Sequence, residues 1–88
     1  MHLSVEISMY PLQDGYKAKI KDFLDMLDGY ADSVDIRTSN MSTRIFGEFD
    51  AVSTLLNACM KESMKQHGKI VFVCKYLEGD ARELRGYE

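Results

Sequence analysis

From His2 to Tyr10 the chain alternates. Leu3, Val5, Ile7 and Met9 are apolar, and His2, Ser4, Glu6, Ser8 and Tyr10 fall between them. A period of two predicts a strand with one face turned to a core, and Pro11 marks its end. The period then lengthens. Across residues 15–30 the apolar positions Tyr16, Ile20, Phe23, Leu24 and Leu27 recur at helical spacing, with Asp14 placed as an N-cap and Gly29 as a stop. "SVDIRTS" returns to alternation, setting Val34 and Ile36 against Asp35 and Arg37, and after a polar break, "SNMS", a third strand follows in "TRIFGEF". Asp50 stands as a cap before a second helix, "AVSTLLNACMKESMKQH", whose stripe is Val52, Leu55, Leu56, Cys59, Met60 and Ser63. Gly68 closes it where a left-handed residue is wanted. "KIVFVCKYL" is the last strand, and the charged tail from Glu78 is expected to be irregular or weakly helical.

The predicted order is β-α-β-β-α-β. That pattern closes as an α+β, ferredoxin-like sandwich: a four-stranded antiparallel sheet with both helices on one face. The first and third strands are then central neighbours, and the second and fourth are edges.

At 88 residues the chain is expected to be one domain, burying about 60% of the surface its unfolded form exposes. No window approaches the roughly 18 apolar residues of a membrane helix. The first residues run straight into the alternating segment, so a signal peptide is not expected and the expected location is cytoplasmic. Cys59 and Cys74 are spaced neither as a CxxC motif nor as a disulfide framework, and reduced side chains are expected. A net charge of −3 offers no electrostatic reason for nucleic acid.

The stretch "NMSTRIFGEFD", residues 40–50, combines a polar elbow (Asn40, Ser42, Thr43) with a strand. By parity Ile45, Gly47 and Phe49 point inward, so Arg44, Phe46 and Glu48 point to the face that carries no helix. Glu6, Ser8 and Tyr10 share that face. Two carboxylates beside an aromatic ring and hydroxyls can hold a flat, nitrogen-rich ligand, with the ring stacking and the carboxylates accepting from amino groups. The plainer alternative is a solvated sheet face with one phenylalanine on it. The last strand adds a second expectation. "IVFVC" is apolar on both faces yet falls at an edge, where Val71 and Val73 need a cover. A homodimer or a larger assembly supplies one.

Other chemistries that use this architecture lack their residues here. The first loop, "YPLQDGYK", has neither the cysteine pair of a metallochaperone nor the arginine of an acylphosphatase-like site. His2 and His67 lie at opposite ends of the pattern, so no metal is expected, and His67 suits a helix C-terminus. "GKIVFVCKY" lacks the glycine-aromatic-glycine core of an RNA-recognition strand. No nucleophile sits in a base-and-orienter constellation, so neither catalysis nor a cofactor is expected.

Three blocks, "EISMYPL", "MSTRIFGEFDAV" and "GKIVFVCKYLEGDAR", resemble the thiamine-binding, YkoF-like family in order and spacing. With the helices between them the resemblance covers nearly the whole chain. It implies a ferredoxin-like domain that binds thiamine or its hydroxymethylpyrimidine moiety without catalysis. It also implies the short, single-domain form, which assembles into homodimers or homotetramers. An aminopyrimidine offers an amino donor and ring-nitrogen acceptors. Glu6 and Glu48 are the candidate carboxylates for the amino group, with Ser8, Asn40, Ser42 and Thr43 as smaller polar contacts and Phe46 or Met41 as an apolar wall. Competing roles stand beside these: Ser42 and Thr43 as turn hydroxyls bonding nearby backbone, and Glu48 in a cross-strand ion pair with Arg44 or Lys75. The alternative function is an oligomeric regulatory or scaffold module whose partner is another protein.

Overall fold

The structure, a computed structural model, describes residues 1–83. Its elements follow the expected order: β1 (His2–Pro11), α1 (Tyr16–Asp28), β2 (Asp35–Thr38), β3 (Thr43–Glu48), α2 (Phe49–His67) and β4 (Ile70–Glu78). They form a four-stranded antiparallel sheet in the order β2-β3-β1-β4. Both central strands and both edges are the ones the pattern predicts. Among the described residues no helix is long and apolar enough to cross a membrane.

The core lies between the sheet and the two helices. Leu3, Val5 and Ile7 from β1 and Ile45 from β3 meet Phe23 and Leu27 from α1 and Val52, Leu55, Leu56 and Cys59 from α2. Phe72 from β4 packs its ring at a tilt against Phe23, with centroids 5.0 Å apart. Cys59 and Cys74 are free, and burial pushes both thiols above their ordinary pKa. Tyr16, although on the helical stripe, is exposed; it lies in the first turn of α1, ahead of the buried residues.

The helix starts differ from the expected ones. Gly15, with φ 80°, precedes α1, and no side chain caps it, so Asp14 lies outside the helix start. At α2 the cap is Glu48, not Asp50. Glu48 has extended backbone angles (φ −67°, ψ 142°), and its Oε2 accepts from the N–H groups of Asp50 and Ala51 at 2.7 and 3.4 Å. The longer glutamate side chain reaches forward over the first turn. Asp50 becomes a first-turn carboxylate, favourable against the helix dipole. Phe49, expected to point inward, opens the helix instead; its N–H donates to the Met1 carbonyl at 2.8 Å and its ring is largely exposed.

After β4, residues 79–83 are irregular, as expected, but docked on the open face, and the rest of the expected charged tail, 84–88, lies outside the described residues. The Ser4 hydroxyl donates to the Gly79 carbonyl at 2.7 Å and accepts from the Ala81 N–H at 2.9 Å. Residues 79–82 form a strap across one corner of the sheet.

Gly47 sets how closely β3 approaches the layer above. A Cβ there would lie 2.8 Å from Val34 Cγ1 and 3.3 Å from Val52 Cγ2. The Gly47→Ala variant is therefore expected to lose about 1–3 kcal/mol of stability through overpacking. Adding Val34→Ala removes the closest obstacle and is expected to make the double loss smaller than the sum of the two single ones, read as urea midpoints at constant m-value.

Candidate functional site

The register of β1 creates the site. On one side β1 pairs with β3 from His2 to Ile7, where Thr43 begins β3. On the other it pairs with β4 as far as Pro11. Residues 8–10 thus have one neighbour strand, and their other edge faces a gap. Unpaired main-chain donors and acceptors line such an edge. The β2–β3 turn and the side of α1 enclose this gap as a cavity of about 290 Å³.

The turn, residues 39–42, is tied to itself. The Ser39 N–H and Oγ donate to the Ser42 carbonyl at 2.9 and 3.1 Å, and the Thr38 and Thr43 hydroxyls lie 3.3 Å apart at its base. The Ser42 hydroxyl donates to Glu6 Oε2 at 2.9 Å, and Ser8 Oγ reaches the Met41 carbonyl at 3.4 Å. Hydrogen bonds between residues far apart in sequence thus hold the elbow against β1. The cavity joins an apolar floor of Ile7, Met9, Ile20, Phe23 and Leu24 to a polar rim of Ser8, Ser39, Asn40 and Ser42.

Of the eight residues singled out from sequence, five line this cavity: Ser8, Asn40, Met41, Ser42 and Thr43. Asn40 and Met41 are exposed, while Thr43 is buried with its hydroxyl against Thr38. Glu6 stands behind the rim, bonded to Ser42 on one oxygen and 3.6 Å from Lys75 Nζ on the other. Glu48 is not brought to the group. It sits opposite His2 at the far end of β3 and is engaged at the start of α2. Phe46 does face the side without helices, yet it is only 3% exposed. Arg37 and Arg82 lie over its ring, their Cζ atoms 5.4 and 5.9 Å from the centroid, and it is away from the elbow cavity. The α1 residues of the floor were missed from sequence. Their helical spacing reads as core packing, and only the early end of β3 turns them into a cavity wall.

Arg82 also anchors the strap. Its guanidinium binds Asp80 and reaches Asp35 Oδ2 on β2 at 3.3 Å, where Arg37 also binds at 3.1 Å. His2 Nε2 lies 3.8 Å from Asp80. The hydrogen bond from Arg37, with that from Arg82 behind it, lowers the Asp35 pKa; hydrogen bonds from Arg82 hold Asp80 far below the usual carboxylate range. A carboxylate with a depressed folded pKa contributes stability above its unfolded pKa and loses it as pH falls through the folded value. The strap is accordingly expected to stay docked through about pH 4, the ordinary carboxylate value, and to release only in stronger acid. Amide exchange at Gly79 and Ala81 followed down in pH checks this; release at or above the ordinary value would contradict it.

The sequence profile of the YKOF-related family matches residues 2–79, and the chain belongs to that family. No curated protein matches it. Among solved structures it is similar to a Streptococcus pneumoniae protein at 20% identity and TM-score 0.84, over 96% of this chain and 93% of that one. It is similar to a candidate thiamine biosynthesis/salvage protein of Thermotoga maritima at 11% identity and TM-score 0.78, over 90% and 85% of the two chains. A Bacillus cereus domain of unknown function aligns over 100% of this chain and 91% of its own at 12% identity, with TM-score 0.76. At these identities the likenesses establish the fold.

Proposed function

We propose that this YKOF-related protein binds thiamine or its hydroxymethylpyrimidine moiety, without catalysis, in the cavity between the end of β1, the β2–β3 turn and α1, and that it serves transport or salvage of the vitamin. The observation that carries this reading is the gap left where β3 begins short of β1. A flat aminopyrimidine needs both donors and acceptors at its edge and an apolar surface for its face. The open edge at residues 8–10 offers main-chain groups of both kinds, and the rim adds the Asn40 amide and the Ser8 and Ser42 hydroxyls. Phe23, Leu24 and Met9 supply the apolar surface. Glu6 acts through Ser42: by accepting that hydroxyl's proton it leaves the oxygen lone pairs free to accept from an amino group. The sequence blocks shared with the thiamine-binding family and the description of the Thermotoga maritima relative support the same ligand class.

Calorimetric titration of the purified protein with thiamine and, separately, with hydroxymethylpyrimidine tests the proposal. Saturable heat with either is expected. Asn40→Ala and Ser42→Ala should each weaken binding about tenfold, as the loss of one well-placed hydrogen bond in an enclosed site does. Glu48→Gln should leave affinity unchanged. An absence of heat with both ligands, the fold being intact, would sink the reading.

The protein also acts as a homodimer or homotetramer in this proposal. Val71 and Val73 lie on the outer face of β4, an edge strand, each nearly half exposed, and Tyr10 stands opposite Val71. Such a patch on an open edge favours burial against another copy. The Val73→Glu variant is expected to shift the mass measured by light scattering toward that of one chain. If wild type and variant both run as a single chain, the assembly proposal falls while the binding proposal stands.

A further inference from the structure

Across the middle of the open face the strand registers line up one row of side chains, Arg37, Arg44, Glu6 and Lys75, running from β2 through β3 and β1 to β4. Three of the chain's 11 basic residues fall in this row of four, although the chain as a whole carries −3. Arg37 and Arg44 stand directly opposite each other, an arrangement that costs stability in a sheet. Asp35 takes up the Arg37 charge at 3.1 Å. Glu6 has given one oxygen to Ser42 and meets Lys75 only at 3.6 Å. Among the described residues Arg44 makes no salt bridge. Glu6 stands opposite Arg44 in the register, but its two oxygens are turned to Ser42 and Lys75.

These cations stand at the rim of a second cavity, of about 280 Å³, distinct from the one at the elbow. Its floor and far wall are apolar or small, Phe46, Leu77 and Ala81, and between the two cations its lining includes Glu6, whose carboxylate is held by the Ser42 hydroxyl. The strap supplies Ala81, held in place by the Ser4 hydroxyl. Beneath, Phe46 is locked under two guanidiniums, so the floor is rigid. A pocket that sets a guanidinium and an ammonium against a single carboxylate, over a fixed apolar floor, keeps a net positive rim and has a definite complement. It is a ligand with an anionic head and an apolar body. Arginine presents parallel N–H groups that match phosphate or carboxylate oxygens two at a time, and lysine adds a mobile point charge. A concave site focuses their joint field on the entering anion.

We infer that this second cavity is a binding site for a phosphate monoester carried on a flat apolar group, with Arg44 and Lys75 gripping the phosphate and Leu77 and Ala81 bordering the ring. The site is separate from the elbow cavity: the two share no lining residue and meet only through the Ser42–Glu6 hydrogen bond, so the assignment does not rest on an aminopyrimidine binding at the elbow.

Titration of the isotopically labelled full chain with phenyl phosphate, followed by amide chemical shifts, tests the inference. Benzyl alcohol serves as the uncharged analogue and inorganic phosphate as the bare anion. Saturable shifts clustered at Arg44, Phe46, Lys75, Leu77 and Ala81 are expected with phenyl phosphate below about 10 mM, with weaker binding of either half alone. Arg44→Gln is expected to weaken phenyl phosphate about tenfold, the loss that follows removal of one charge-assisted hydrogen bond. Lys75→Gln should act in the same direction, and the double variant should abolish saturation while its spectrum keeps the dispersion of a folded chain. Lys21→Gln removes the same charge from the exposed face of α1, where Lys21 pairs with Asp25, and should change nothing. Equal loss in Lys21→Gln, unchanged affinity in the double variant, or inorganic phosphate binding as tightly as phenyl phosphate would each overturn the assignment.

Discussion

The pairing of β1 on both sides is the constraint from which the rest follows. A strand held by two antiparallel neighbours cannot slip by one residue without turning its whole apolar set out of the core. With Leu3, Val5 and Ile7 buried, the register fixes Ile45 and Cys74 on the helix side and Glu6, Arg44 and Lys75 on the other. Both candidate sites are consequences of that one alignment. The row of charges is what the register places at mid-strand. The elbow cavity is what it leaves where β3 begins opposite Ile7 while β1 runs on to Pro11.

Much of the architecture was legible because it rests on period. Alternation in β1 and the Val52, Leu55, Leu56, Cys59 stripe in α2 carry their meaning in any short window, and each landed where the pattern put it. What the windows could not carry was competition between neighbours for one role. Residues 48 and 50 are both acids beside a helix start, and aspartate is the commoner cap. The choice of Glu48 depends on where the strand backbone turns, which side-chain chemistry does not reveal. Asp14 failed for a related reason: Gly15, with positive φ, takes the turn into α1 and leaves no capping geometry for the residue before it.

The candidate site divides in the same way. The polar character of the elbow is local and was readable; its depth is not, since the floor is built from α1 residues about twenty positions earlier. Phe46 was assigned correctly to the face without helices and yet is buried, because the strap, which follows thirty residues later without apolar periodicity, is tied down by Ser4 and Asp35. Parity tells which side a residue points to. It is silent about what else arrives on that side.

Glu6 links the two cavities, and its position explains how they coexist on so small a sheet. One carboxylate oxygen takes the Ser42 hydroxyl and so belongs to the elbow; the other faces Lys75 and belongs to the charged row. Had Glu6 been drawn fully toward Lys75, the turn would lose its cross-strand tie and the elbow its fixed hydroxyl. Had it turned wholly to Ser42, Lys75 and Arg44, which flank it on either side, would have less negative charge between them to temper their repulsion. The observed geometry, close to Ser42 and distant from Lys75, holds the elbow firmly and leaves the lysine loosely restrained at the second cavity. An exposed ion pair of that length constrains little. Lys75 is therefore free to move toward an incoming anion without disturbing the hydrogen bond that shapes the other site.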